Sequence, residues 1–199
     1  MLNRLLFFLL IANSSCIFGQ VVKVDGGVNI GKFANSEKLP ILNSNLYTYS
    51  VKIGLDYMEH EKYYLSSQIG YTTLGGKEVN MLLEDPDKEI SEKWNFVEVN
   101  TTFRYKFPIK GSHVFIGAGP KMNFLIDSSK FNSWIYDGYE INKVNIGAKT
   151  ELGYAVDINH LRAGFVSSYN FDFTPIGGTK FIDLKNTSFS LIFSLGYRL

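Results

Sequence analysis

Only one cysteine occurs in the 199 residues, at position 16, so no disulfide forms within the chain. A dominant sign of charge is missing too. Lys and Arg number 20 against 19 Asp and Glu, a net charge of +1, which builds no field of the kind that gathers nucleic acid. The three histidines, His60, His113 and His160, share no metal-ligand spacing in sequence. Beyond the N-terminus no apolar run is long enough for a membrane helix. Entry into a bilayer then requires a closed barrel, the other structure that satisfies every backbone polar group in hydrocarbon. Glycine and aromatics are plentiful: 18 Gly, 16 Phe and 12 Tyr, a set that favours strands, tight turns and interfacial belts over helices.

The N-terminus reads as a targeting segment. Arg4 supplies the positive charge, Leu5 to Ala12 a short apolar core, and Ile17-Phe18-Gly19 a small residue for cleavage before Gln20. The expected division is a cleaved signal peptide over 1–19 and a barrel domain over 20–199. Lipid attachment at Cys16 is a second reading, but Asn13-Ser14-Ser15 lacks the usual Leu three positions upstream.

The rest of the chain alternates with period two. In the clearest segment Tyr47, Tyr49, Val51, Ile53, Leu55 and Tyr57 share one face, and Thr48, Ser50, Lys52, Gly54 and Asp56 the other. The pattern recurs near 22–30, 63–72, 97–107, 114–123, 144–154, 161–171 and 189–199. Each segment is close to the roughly 9–11 residues that a tilted membrane strand needs. Short connections near 59–62, 108–113 and 157–160 alternate with longer ones near 34–45, 75–93, 125–140 and 172–186. The fold expected is all-β: an eight-stranded antiparallel up-and-down transmembrane β-barrel. Register parity predicts a Lys110-Gly111 hairpin loop below the pair Phe107–Val114. It also predicts Val156 opposite Leu161, with Ile158-Asn159 in the turn, and Tyr57 opposite Tyr63.

The two faces differ sharply. The apolar set carries Tyr and Phe near its strand ends, as a lipid-facing wall with aromatic girdles does. The other set holds charges of both signs. Lys52, Asp56, Glu98, Arg104, Lys149, Glu151, Arg162 and Arg198 are the expected interior polar network, with Lys23, Asp25, Lys106 and Lys121 beside them. Enclosed charges of this kind must pair. Eight strands leave an interior that side chains fill, so no wide pore is expected. A secreted, soluble, lipocalin-like barrel binding an apolar ligand is the alternative; its interior would be apolar, and the early Gly-x-Trp signature is absent.

Three segments carry a family resemblance: Phe18-Gly19-Gln20 closing the signal, Phe115-Ile116-Gly117-Ala118-Gly119-Pro120, and the final strand Phe189 to Leu199. They resemble porin-family, PorT-like outer-membrane barrels of Bacteroidota. The last strand is similar to the signal read by the barrel-assembly machinery, ending in Leu199 where Phe is commoner, with Tyr197 two positions earlier. The resemblance implies location and fold, and an encounter with that machinery during insertion.

Catalytic patterns are scarce. Gly26 to Lys32 has phosphate-loop spacing, but Phe33 stands where Ser or Thr would hold magnesium, and the run lies in a strand pattern. Ser128, Ser129 and Ser133 have no base beside them. The acidic run Glu84, Asp85, Asp87, Glu89 and Glu92 matches no calcium-loop spacing. The three histidines all fall at short turns on one end. In the third long loop Phe131, Trp134, Tyr136 and Tyr139 form an aromatic cluster, a candidate loop contact patch. The expected role is non-enzymatic: a structural or interaction protein of the bacterial outer membrane, with no cofactor. Its expected partners are membrane lipid and an envelope or surface protein, with no nucleic acid. A lipid-modifying barrel enzyme is a further alternative.

Overall fold

A computed structural model describes residues 20–35, 41–79, 89–127, 130–132 and 137–199. The signal-peptide segment with Cys16 lies outside these residues. So do Glu84, Asp85, Asp87, Ser128, Ser129, Ser133, Trp134 and Tyr136.

Eight long strands close into a ring. They are β1 (Val21–Asn35), β2 (Leu46–Tyr57), β3 (Tyr63–Val79), β4 (Glu89–Ile109), β5 (Ser112–Leu125), β7 (Val144–Ile158), β8 (Leu161–Asp172) and β10 (Asp183–Arg198). Each pairs antiparallel with its sequence neighbour, and β1 pairs with β10 to seal the barrel. Closure removes both sheet edges, so every long strand finds partners on two sides. Two short strands, β6 (Glu140–Ile141) and β9 (Gly177–Gly178), add a flap beside the upper end of β10. Among the described residues no helix is long and apolar enough to cross a membrane.

The short turns and the described chain ends lie together. The Leu199 amide donates to the Gln20 carbonyl at 2.9 Å, and the Arg198 amide donates to the His160 carbonyl at 2.7 Å. The first hairpin register is the expected one. Phe107 faces Val114, and Ile109 faces Ser112 over a Lys110-Gly111 turn with Gly111 at φ +72°.

Two other hairpins differ from expectation by a two-residue slip. Val156 pairs with Ala163, not Leu161, so the turn is Asn159-His160 with Asn159 at φ +54°. Tyr57 pairs with Leu65, not Tyr63, and Tyr63 pairs with Tyr105. A slip of two keeps every side chain on its own face, so face parity alone cannot choose between such registers. Turn chemistry chooses: Asn tolerates the left-handed backbone at 159.

Strands β3 and β4 run farther than their alternation suggested, through 75–79 and 89–93. Up to the level of Tyr71 and Val97 the outer face is apolar and the inner face polar. Above that level the sorting reverses. Lys77 and Lys93 stand on the outer face, while Leu74, Trp94 and Phe96 turn inward and are buried. They join Phe33, Leu42, Ile141, Ile176 and Leu184 in an apolar plug that closes the long-loop end. Trp94 stacks on Phe33 at 4.9 Å between ring centroids and meets Phe131 edge-on at 4.7 Å. This upper storey is built as a water-soluble barrel is, with apolar groups enclosed and charges outside.

Candidate functional site

The lumen below the plug is the most chemically loaded part of the molecule. Arg104 is 2% exposed and Glu151 5%, whereas Leu152, the next residue on the outer wall, is 56% exposed. The same contrast runs round the barrel, through Val24, Ile53, Phe103, Ile116, Phe165 and Phe193 outside and Lys52, Glu98, Lys121 and Lys149 inside.

Three ion pairs share one construction. Lys52, Gly70 and Glu98 sit side by side on β2, β3 and β4; Arg104, Gly117 and Glu151 on β4, β5 and β7; Lys121, Gly147 and Asp172 on β5, β7 and β8. In each row the central residue has no side chain, and the flanking charges meet over it. The separations are 2.5 Å for Lys52–Glu98, 2.7 Å for Arg104–Glu151 and 2.7 Å for Lys121–Asp172. A Cβ on Gly117 would lie 3.0 Å from Arg104 Cγ and 3.3 Å from Glu151 Oε2; one on Gly147 would lie 2.9 Å from Lys121 Cε. These glycines are the space that the pairs occupy.

Bridges join the pairs. Lys149 reaches Glu151 at 2.7 Å and donates to Gln68 Oε1 at 3.0 Å, and Gln68 Nε2 donates to Asp25. Lys23 holds Asp56 at 2.8 Å. Asn100 donates to Glu98 at 2.7 Å. The Arg104 guanidinium lies 4.6 Å from the Phe115 ring centroid and 5.7 Å from that of Tyr64. Such a cation, desolvated between two ring faces, is held by charge and by the rings together. Tyr64, Phe115 and Gln68 are not in the interior network expected from sequence. Two of them are aromatics on the inner face, against the rule that placed aromatics outside.

At the short-turn mouth Glu59 closes the network from the β2–β3 turn. It pairs with Arg162 at 2.7 Å, Lys106 at 2.9 Å and Arg198 at 3.4 Å. Burial works against its charged form, but Arg162 and Lys106 outweigh that, and its pKa falls below the ordinary 4.5. Arg162 also binds Asp157 at 2.7 Å. Arg198 differs from the other seven residues of the expected interior set: its side chain is 38% exposed, because it belongs to this mouth and not to the lumen. Sequence gave no signal for Glu59, since a carboxylate in a turn ordinarily faces water.

The lumen is filled. A cavity of about 10 Å³ among Asp56, Tyr64, Arg104, Phe115 and Arg162 is space for no more than about one water. The plug covers the other end. Phe131 and Tyr139 of the expected contact patch are half-buried against it, with ring centroids 5.4 Å apart, while Trp134 and Tyr136 lie outside the described residues. Glu92, expected in an acidic loop, is instead a fully buried strand residue whose Oε2 accepts from the Asn132 amide at 3.0 Å. Glu89 stays exposed and pairs with Lys77 at 2.8 Å. His113 turns inward beside Tyr64, while the exposed His60 and His160 rest on Tyr63 and Tyr197. Gly26 to Lys32 is plain β1 strand.

Two solved structures are similar in chain path. Neisserial surface protein A (NspA) aligns over 87% of this chain and 95% of its own, at 13% identity and a TM-score of 0.48. Ail, the attachment invasion locus protein of Yersinia pestis, solved in complex with the heparin analogue sucrose octasulfate, aligns over 92% of this chain and 100% of its own, at 13% identity and a TM-score of 0.49. No family model and no curated protein matches the chain.

Proposed function

We propose that the chain is an integral barrel of a bacterial outer membrane, exported by a cleaved signal peptide over 1–19, and that its role is structural or interactive, not enzymatic. One observation carries the reading: the wall is inside-out. Large apolar side chains ring its exterior while ionised groups are enclosed and paired. Soluble monomers rarely expose contiguous apolar patches beyond a few hundred Å². Here such residues stand exposed on all eight long strands. Hydrocarbon is the solvent in which that arrangement costs nothing. The relation to PorT-like barrels of Bacteroidota rests on the three sequence segments named above.

The filled lumen supports a role without bulk diffusion. A lipocalin-like carrier needs an open apolar interior, and this interior is closed and charged. Contact with an envelope or surface partner then falls to the long-loop end, and the barrel-assembly machinery is the expected partner during insertion. The test is to fold the purified chain into phosphatidylcholine vesicles and detergent micelles. Heat-modifiable gel migration and protection of the strands from protease are expected. A protein that stays monomeric and folded in detergent-free buffer would overturn the reading. Steady large conductance in planar bilayers would overturn the closed lumen.

A further inference from the structure

The outer wall changes character at the seam where β1 meets β10. Ile30 pairs with Phe189 at the top of the apolar wall; one step higher Lys32 pairs with Thr187, and Ala34 with Lys185. Lys32, Thr187 and Lys185 share the outward parity of Val28, Ile30, Phe189 and Leu191, and both lysines are exposed. They are diagonal neighbours on adjacent strands, with bases about 7–8 Å apart. Like charges so placed repel. Yet neither ammonium has a carboxylate partner among the described residues. Asp183, two residues beyond Lys185, is exposed and pairs with neither. Every lysine enclosed in the lumen is matched to a carboxylate, whereas these two, like the exposed Lys62, Lys93, Lys110, Lys143 and Lys180, have none among the described residues; what sets them apart is that they stand side by side at the upper margin of the apolar wall.

We propose that Lys32 and Lys185, with the Thr187 hydroxyl between them, clamp the phosphate of an anionic lipid headgroup against the outside of the β1–β10 seam. The inference rests on the membrane-spanning reading. The occupant follows from position and charge. The pair sits at the upper margin of the apolar wall, where acyl chains lying on Ile30 and Phe189 end in a headgroup. Two ammonium groups and a hydroxyl supply the donors that phosphate oxygens accept. A polybasic site beside a membrane gains about fivefold in lipid retention per lysine, about thirtyfold for the pair.

The experiment is native mass spectrometry of the detergent-solubilised barrel titrated with phosphatidylglycerol or phosphatidylcholine, on the parent chain, K32Q/K185Q and the opposite-end control K110Q. Gel migration with and without heating first establishes that each variant is folded. Phosphatidylglycerol is expected to be retained preferentially by the parent and K110Q, with the preference reduced about thirtyfold in K32Q/K185Q. Equal retention in K32Q/K185Q, or no preference over phosphatidylcholine in the parent, overturns the clamp. Displacement of phosphatidylglycerol by millimolar inorganic phosphate at equal potency overturns the lipid as its source. A barrel that inserts into phosphatidylcholine vesicles but shows no headgroup preference loses the clamp and keeps the membrane reading; one that inserts into neither lipid loses both.

Discussion

Arg104 and Glu151 lie two strands apart and still form a direct 2.7 Å ion pair, because Gly117 between them has no side chain. Both ends are buried, so the pair is worth little against an apolar replacement but a great deal against half of itself. E151Q leaves both Arg104 and Lys149 without this carboxylate in the lumen and is expected to cost about 3–5 kcal/mol. R104M/E151Q removes both of these charges but leaves Lys149 without the carboxylate it reaches at 2.7 Å, and is expected to recover part of that loss. Urea unfolding from lipid vesicles, with the midpoint followed by gel migration, reads both. A double variant no better than E151Q would show that the two residues are not coupled.

The glycine itself is the second test. G117L leaves both charges in place and fills the gap over which they meet. It is expected to destabilise by about 1–3 kcal/mol, as overpacking does, and to reduce the sensitivity of stability to E151Q. In the parent background E151Q removes the partner of both Arg104 and Lys149; in G117L only the Lys149 pairing remains to be lost, and the penalty is expected to be smaller. An unchanged E151Q penalty in G117L would show that the pair does not need the gap.

Glu59 supplies a pH dependence. Its folded pKa lies below the ordinary 4.5, held there by Arg162 and Lys106 against the effect of burial. A lowered carboxylate pKa stabilises the folded state above the unfolded value, and the contribution is lost as pH falls through the folded one. The parent is therefore expected to be more stable than E59Q at pH 7, with the gap closing once pH drops well below 4.5. Unfolding midpoints at a series of pH values measure it. A gap that widens toward acid would reverse the assigned sign.

Alternation carried most of the fold, and its failures are equally physical. The apolar outer wall was legible because it and the enclosed polar lumen place opposite kinds of side chain alternately along one strand. The extensions of β3 and β4 were not, because Leu74, Trp94 and Phe96 face inward there while Lys77 and Lys93 face out; a reversed sort breaks the pattern and reads as a loop. Two hairpins slipped by two residues, which leaves parity untouched. The ion pairs over Gly70, Gly117 and Gly147 depend on which residues fall side by side across three strands, and that register is a property of the ring, not of any one segment.

The plug stands apart from the lumen and is expected to fail separately. F33A removes the ring stacked 4.9 Å from Trp94. A buried Phe-to-Ala change costs about 3–5 kcal/mol where the site cannot collapse, here within the long-loop storey. Limited proteolysis is expected to accelerate in the long loops while heat-modifiable migration persists. In a W134F background the fluorescence of Trp94 is expected to shift to the red. Simultaneous loss of gel migration would show that plug and barrel are one cooperative unit.

A charge placed on the outer wall separates hydrocarbon from water as its surroundings. Leu152 is 56% exposed and lies on β7 between outward-facing Thr150 and Tyr154. In water an exposed Leu-to-Arg change away from any partner alters stability by about 0.5 kcal/mol at most. At the midplane of a bilayer the same change on a barrel wall costs about 2–4 kcal/mol, falling toward zero near the interface. L152R is therefore expected to destabilise the vesicle-inserted protein by about 2–4 kcal/mol. T187R, level with Lys32 at the upper margin, is expected to cost less than about 1 kcal/mol. Paired urea titrations in vesicles give the difference, and only a low-dielectric slab across the middle of the wall makes the two positions unequal. Equal penalties at 152 and 187 would place both in the same solvent and remove the bilayer from around the barrel.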